Sequence, residues 1–167
     1  MRVLLYMGDV VYKKILLTHD GSSIASQAIP HAVALAHGLN TEIFLFRVVP
    51  AMRQEILTAE PMGMVLPIPT LGQQVTEMVE ENKEEAQKKL LRIQTQLEGL
   101  GARKVTPLVA EGVAEEEIVK IAKKEHIDLI VMSTHGRSGL GRALLGSVAD
   151  FVVRHASCPV LLIRARQ

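Results

Sequence analysis

The chain reads as one α/β domain built on an open parallel sheet, and three observations predict it. Apolar runs at 15–17, 129–132 and 160–163 carry no charged residue, as strands do when helices cover both faces of a sheet. Between such runs lie stretches with apolar side chains at helical spacing, so strand and helix signals alternate along the chain. The length of 167 residues suits a single core of this kind.

Taken in order, residues 15–18 form a first strand that runs into His19-Asp-Gly-Ser-Ser23. Ala25, Ile29, Ala32, Val33 and Ala36 then recur at helical spacing as far as Gly38. Residues 42–49 are rich in β-branched and aromatic side chains and stop at Pro50, which gives the second strand. Residues 51–72 hold Pro61, Pro67, Pro69, Gly63 and Gly72 with methionines and leucines but no period, so a long mobile loop is expected there. From 73 to 100 the positions Val75, Met78, Val79, Asn82, Ala86, Leu90, Ile93, Leu97 and Leu100 mark one face of a long helix whose other face is Glu and Lys. A third strand follows at 105–110, where Pro107 suits an edge position. A helix at 114–125, a strand at 129–133, a helix at 147–155 and a strand at 160–163 complete the series. Residues 1–12 read as an N-terminal extension and 13–167 as the domain.

Composition excludes several classes. A net charge of +1 argues against general affinity for nucleic acid, and no run approaches the ~20 apolar residues that cross a bilayer. The apolar start, residues 1–7, is interrupted by Gly8 and Asp9 and lacks the form of a signal peptide. Cys158 stands alone, which excludes an internal disulfide and a cysteine metal cluster; before Pro159 it reads as a small hydrophobe. A soluble protein of the reducing cytoplasm is expected.

The chemistry concentrates where the fourth strand ends. Residues 130–147 read Ile-Val-Met-Ser-Thr-His-Gly-Arg-Ser-Gly-Leu-Gly-Arg-Ala-Leu-Leu-Gly-Ser, a strand entering a glycine-rich loop that ends by opening a helix. Gly136, Gly139 and Gly141 lack a Cβ, so consecutive amides can turn toward one concave point and an anion can approach them. Ser147 reads as the N-cap, with Asp150 as a partial capping box, which aims free N–H groups and the positive helix end at the same point. A phosphate fits there; the plainer alternative is a connection whose glycines only make tight turns. In open sheets ligands lie beyond the carboxyl ends of the strands, so residues 19–23 and 133–147 are expected to meet, with Asp20 placed to accept ribose hydroxyls or hold a magnesium ion.

These residues resemble the universal stress protein family, in particular its ATP-binding branch. That branch's motif, Gly-x2-Gly-x9-Gly-Ser/Thr, is matched by Ser133-x2-Gly136-x9-Gly146-Ser147. The resemblance also takes in Lys14-Ile-Leu-Leu-Thr-His-Asp-Gly-Ser22 and His155-Ala-Ser-Cys-Pro-Val-Leu161, so it covers essentially 13–167. It implies a Rossmann-like, adenine nucleotide alpha hydrolase-like sheet of five strands ordered 3-2-1-4-5, with ATP, with or without Mg, across the ends of the first and fourth strands. Carried over by position, Asp20 meets the ribose, backbone near Thr18 and Val48 borders the adenine, and Gly136, Gly146 and Ser147 hold the phosphates. Met132, Ser133, His135, Arg137, Gly139 and Val148 complete the implied nucleotide site. The chain departs from the family in two places: Ser133 replaces the motif's first glycine, and Thr18-His19 stands where a proline-threonine pair is common.

No Ser-His-acid or Cys-His set accompanies His135, so no catalytic residue is assigned. His19-Asp-Gly-Ser22 approaches the His-x-Gly-His signature of nucleotidylyl transferases but lacks the second histidine. Arg137 and Arg142 are candidates for phosphate contact. A Walker Gly-Lys-Ser/Thr is missing, and so is Gly-x-Gly-x-x-Gly after the first strand. The expectation is a nucleotide-dependent stress or regulatory module acting by conformational change. A slow ATP hydrolase or nucleotidyl transferase, and a dimeric adaptor without nucleotide, stand as the alternatives. Residues 160–163, apolar on both faces yet last in the sheet order, predict a homodimer through that edge.

Overall fold

The strands β1 (Lys14–Thr18), β2 (Glu42–Val49), β3 (Val105–Glu111), β4 (Leu129–Ser133) and β5 (Val160–Ile163) pair in parallel in the order β3-β2-β1-β4-β5. This is the open α/β sheet that the alternation of elements predicts, with Pro107 in an edge strand as expected. The structure, a computed structural model, describes residues 12–51, 69–134 and 145–164. Among these, no helix is long and apolar enough to cross a membrane.

Alternate residues of each strand feed two cores. Ile15, Leu17, Ile43, Leu45, Leu129 and Val131 face the helices α2 (Ile29–Leu39) and α3 (Pro69–Gly99), where Ile29, Ala32, Leu90 and Leu97 meet them. Leu16, Phe44, Phe46, Ile130 and Met132 face α4 (Ala114–Lys124) and α5 (Ser147–His155) through Ile118, Ala122, Ala149 and Val152. β1, with neighbours on both sides, has Ile15, Leu16 and Leu17 at 0% exposure, which explains why its run is apolar without alternation. Cys158 packs against the second core as a small hydrophobe.

The elements differ from the expected ones in two places. The helix expected around Ala25 to Ala36 is broken into α1 (Ser23–Ser26) and α2, because Pro30 has no N–H to donate and its ring would clash with the carbonyl four residues back; it sits instead in the first turn of α2. The long helix begins at Pro69 rather than at 73, again with proline in the position where its missing N–H costs nothing. Of the expected 51–72 loop, residues 52–68 lie outside the described residues, as do residues 1–11 of the expected extension.

The 31 residues of α3 span about 46 Å, far more than any strand beside it. Lys83 Nζ pairs with the Glu111 carboxylate at 3.0 Å, which sets Lys83 level with the carboxyl end of β3. Met78, N-terminal to that level, is 48% exposed although it continues the apolar stripe of Leu90 and Leu97.

Candidate functional site

β1 and β4 lie side by side, with Leu17 opposite Val131, so the loops that follow them emerge at neighbouring points. The helix after β1 packs on one face of the sheet and the helix after β4 on the other. Between the diverging chains a cleft of about 750 Å³ opens at the carboxyl edge, the place where open sheets of this kind bind ligands.

The loop after β1 is held by its own side chains. The His19 N–H donates to the Phe46 carbonyl at 2.9 Å, which ties the loop to β2. Asp20 Oδ1 accepts from the Ser22 N–H at 2.9 Å, and Ser22 Oγ caps α1 by accepting from the Ala25 N–H at 3.0 Å. The Gly21 N–H donates to His19 Nδ1 at 3.0 Å; that nitrogen is thus an acceptor and the ring proton belongs on Nε2, 3.1 Å from Ser26 Oγ. The Ser26 hydroxyl donates onward to the Ser22 carbonyl at 3.1 Å. His19 is buried, and burial pushes its pKa below the ordinary imidazole value; Asp20 pulls the other way and the Arg47 guanidinium adds to the lowering. Gly21 takes φ +90, and a Cβ there would stand 2.9 Å from Arg47 Nη1.

The loop after β4 is pinned at its base. The Thr134 N–H donates to the Ile163 carbonyl and the Gly146 N–H to the Thr134 carbonyl, both at 2.9 Å, so the chain that leaves at Thr134 returns beside it at Gly146. The expected cap is corrected here: Gly146 is the N-cap of α5, with φ −62 and ψ 151, and Ser147 is the first helical residue. No side chain caps this helix, and Asp150, expected in a capping box, instead pairs with Arg154 at 3.0 Å on the helix surface. The first amides of α5 are therefore left to a ligand or solvent.

Eight of the expected site residues line the cleft: Thr18 and Asp20 from β1 and its loop, Val48 from β2, Met132 and Ser133 from β4, and Gly146, Ser147 and Val148 from the start of α5. The other four, His135, Gly136, Arg137 and Gly139, lie outside the described residues, as do Gly141 and Arg142. Six polar lining residues escaped the sequence reading as ligand contacts: His19, Arg47, Asn82, Glu85, Lys89 and Thr134. Arg47 carried a legible signal, a single charge in the otherwise apolar strand 43–49, and Asn82 a weaker one, an amide on the apolar stripe of a helix. Glu85 and Lys89, an ion pair one turn apart, look in sequence like any solvated helix face; only the docking of α3 turns them toward the cleft.

The walls divide by chemistry. Phe46, Val48, Ile118 and Met132 form an apolar side, while Asp20, Ser133, Gly146 and Ser147 supply acceptors, hydroxyls and helix-end amides. Such a cleft suits a molecule with a flat apolar ring, a hydroxylated middle and an anionic end. Among the described residues no group of three or more His, Cys, Asp or Glu side chains converges as a metal site.

Comparison with known proteins decides the family, because residues 11–164 match the universal stress protein family as a whole. The chain belongs to the universal stress protein family. It is 36% identical to universal stress protein MJ0531 of Methanocaldococcus jannaschii over 157 residues, 94% of this chain and 85% of that one. To MJ0577 of the same organism it is 35% identical over 162 residues, 95% of this chain and 98% of its relative. The solved structure of MJ0577 superposes with a TM-score of 0.78 and 32% identity, covering 94% and 99% of the two chains. A universal stress protein solved in complex with cAMP and one from Arabidopsis thaliana solved with AMP bound share the fold, with TM-scores of 0.63 and 0.61 at 18% and 19% identity. The first covers 93% of this chain and 99% of its own, the second 92% of each. The sheet order of this universal stress protein is the one its sequence resemblance implied.

Proposed function

We propose that this universal stress protein binds an adenine nucleotide, ATP foremost, in the cleft between β1 and β4, and acts in the cytoplasm as a nucleotide-dependent regulatory module through a change of shape. The observation that carries the reading is the facing of two loops across one cleft: Asp20 on one side, the uncapped start of α5 on the other, and an apolar wall beside them. In this arrangement the ring stacks against the apolar wall near Val48 and Met132, with backbone of Thr18 and Val48 at its edge. Asp20 takes the ribose hydroxyls. Ser133, Gly146, Ser147 and Val148, joined by His135, Gly136, Arg137 and Gly139 of the glycine loop, receive the phosphates. Magnesium, where present, arrives on the phosphates, with Asp20 as its protein neighbour. A second copy of the chain pairs along β5, whose Val160, Leu161 and Leu162 remain partly exposed at the sheet edge.

Calorimetry tests the nucleotide site. ATP is expected to bind and GTP to bind more weakly; Gly136→Val abolishes binding by filling the approach to the loop amides. Asp20→Ala weakens it by about 1–3 kcal/mol, the worth of a hydrogen bond to a charged group. Unchanged ATP affinity in Gly136→Val would remove the site assignment.

A further inference from the structure

We propose that His19 is a positioning residue for Asp20: its neutral ring, buried beneath the loop that carries the carboxylate, holds that loop closed, and a proton on the ring opens it, so ligand binding in the cleft falls on acidification. The inference rests on the nucleotide reading for its ligand and on the loop geometry for its mechanism.

Two contacts fix the ring, and a third holds its hydroxyl partner. The Gly21 N–H donates to Nδ1 at 3.0 Å, Nε2 lies 3.1 Å from Ser26 Oγ, and the hydroxyl of Ser26 closes the circuit by donating to the Ser22 carbonyl. The histidine thus bonds both the middle of the 20–22 loop and the helix that follows it. Only the neutral ring can do this, because protonated Nδ1 would present an N–H to the Gly21 N–H, donor against donor, inside a site 4% exposed. Nor can the loop shift freely, since Gly21 holds φ +90 with the Arg47 guanidinium against the place of its absent Cβ.

The charges around the ring come from each neighbouring element. Asp20 on its own loop favours the protonated form; Arg47 from β2 opposes it, and burial opposes it most strongly. From α3, Glu85 and Lys89 border the same cleft as an ion pair, α1 contributes the Ser26 hydroxyl, and β4 with its following loop contributes Ser133 and Thr134, none of these last three titratable. With the closed loop resisting the proton, the open loop takes it near the ordinary value of 6.5. Ligand bound to the closed form therefore loses affinity as pH falls through the depressed value at which the free, closed protein takes up the proton, below 6.5, by at most about tenfold per pH unit for one linked proton.

His19→Asn is the discriminating variant. Its Oδ1 stands where Nδ1 stands, accepts the Gly21 N–H at every pH and takes up no proton. ATP affinity measured by calorimetry from about pH 7.5 to about pH 5 is expected to fall more steeply in the natural protein than in His19→Asn. Taking the ratio of the two at each pH cancels the titration of ATP itself. Independently of any ligand or variant, NMR of the free natural protein should show the His19 ring titrating below 6.5, with protection of the Gly21 amide lost in the same step. A pH-independent affinity ratio, or a ring that titrates at its ordinary value while the Gly21 amide stays protected, would overturn the proposal. Absence of ATP binding at neutral pH would instead overturn the nucleotide reading, and the NMR titration would still decide the role of His19.

Discussion

At the scale of single residues, the cleft is organised by side chains that seldom point toward it for their own sake. Asp20 spends one carboxylate oxygen on the Ser22 N–H, and His19 spends one ring nitrogen on Gly21 of the same short loop and the other on Ser26 of α1. That loop passes so close to Arg47 that residue 21 has to do without a side chain: φ is +90, and a methyl group would stand 2.9 Å from the guanidinium. Gly21→Ala is therefore expected to cost about 1–3 kcal/mol, from backbone strain and displacement of Arg47. Urea unfolding checks this; a midpoint equal to that of the natural protein would show that the loop tolerates a Cβ. His19 was the less legible of the two beforehand. A histidine before an aspartate carries no spacing rule, and a lone charge in an apolar strand marks Arg47 without saying what it meets; the role of each follows from which groups lie above it in space.

The elements were more legible, because each obeys a local rule. β2, β4, α5 and β5 fall where apolar runs and helical spacing put them, and α3 and the broken α1 and α2 depart only where a proline selects its own position. α5 has a further consequence at its start. Gly146 has an N-cap backbone without an N-cap side chain, so the helix forgoes a hydrogen bond and leaves its first amides toward the cleft. Gly146→Asp should restore the cap and raise stability by a few tenths of a kcal/mol, on the order expected for this exchange. The same carboxylate would occupy the anion's place and repel phosphate. Thermal unfolding and ATP calorimetry on one sample are expected to move in opposite directions, and a variant that kept full ATP affinity would place the phosphates away from α5.

For the molecule as a whole, the strand order leaves two edges. β3 carries Pro107, which withholds a ladder donor, and its flank is covered by α3, whereas β5 offers Val160, Leu161 and Leu162 partly exposed. Pairing of β5 with a second copy would bury that apolar edge across a two-fold axis. Leu162→Lys is expected to convert a dimer into a monomer at micromolar concentration, read by light scattering. A natural protein that is already monomeric, or a dimer indifferent to the substitution, would remove the pairing from β5.

By itself the sequence determined the alternation of strands and helices and the parallel sheet, because periodicity and proline act over a few residues and leave their marks in the chain. The residues at the ends of the first and fourth strands pointed to Asp20, Ser133, Gly146 and Ser147, and the resemblance to one family added the sheet order together with Thr18, Val48, Met132 and Val148; all eight residues line the cleft. Tertiary structure alone decided what stands opposite them. Arg47 lies some 26 residues from Gly21, and Glu85 and Lys89 are farther still. Such neighbours are chosen by the docking of α3 and by the pairing of β1 with β2 and β4, which depend on the burial of whole faces and on no local pattern.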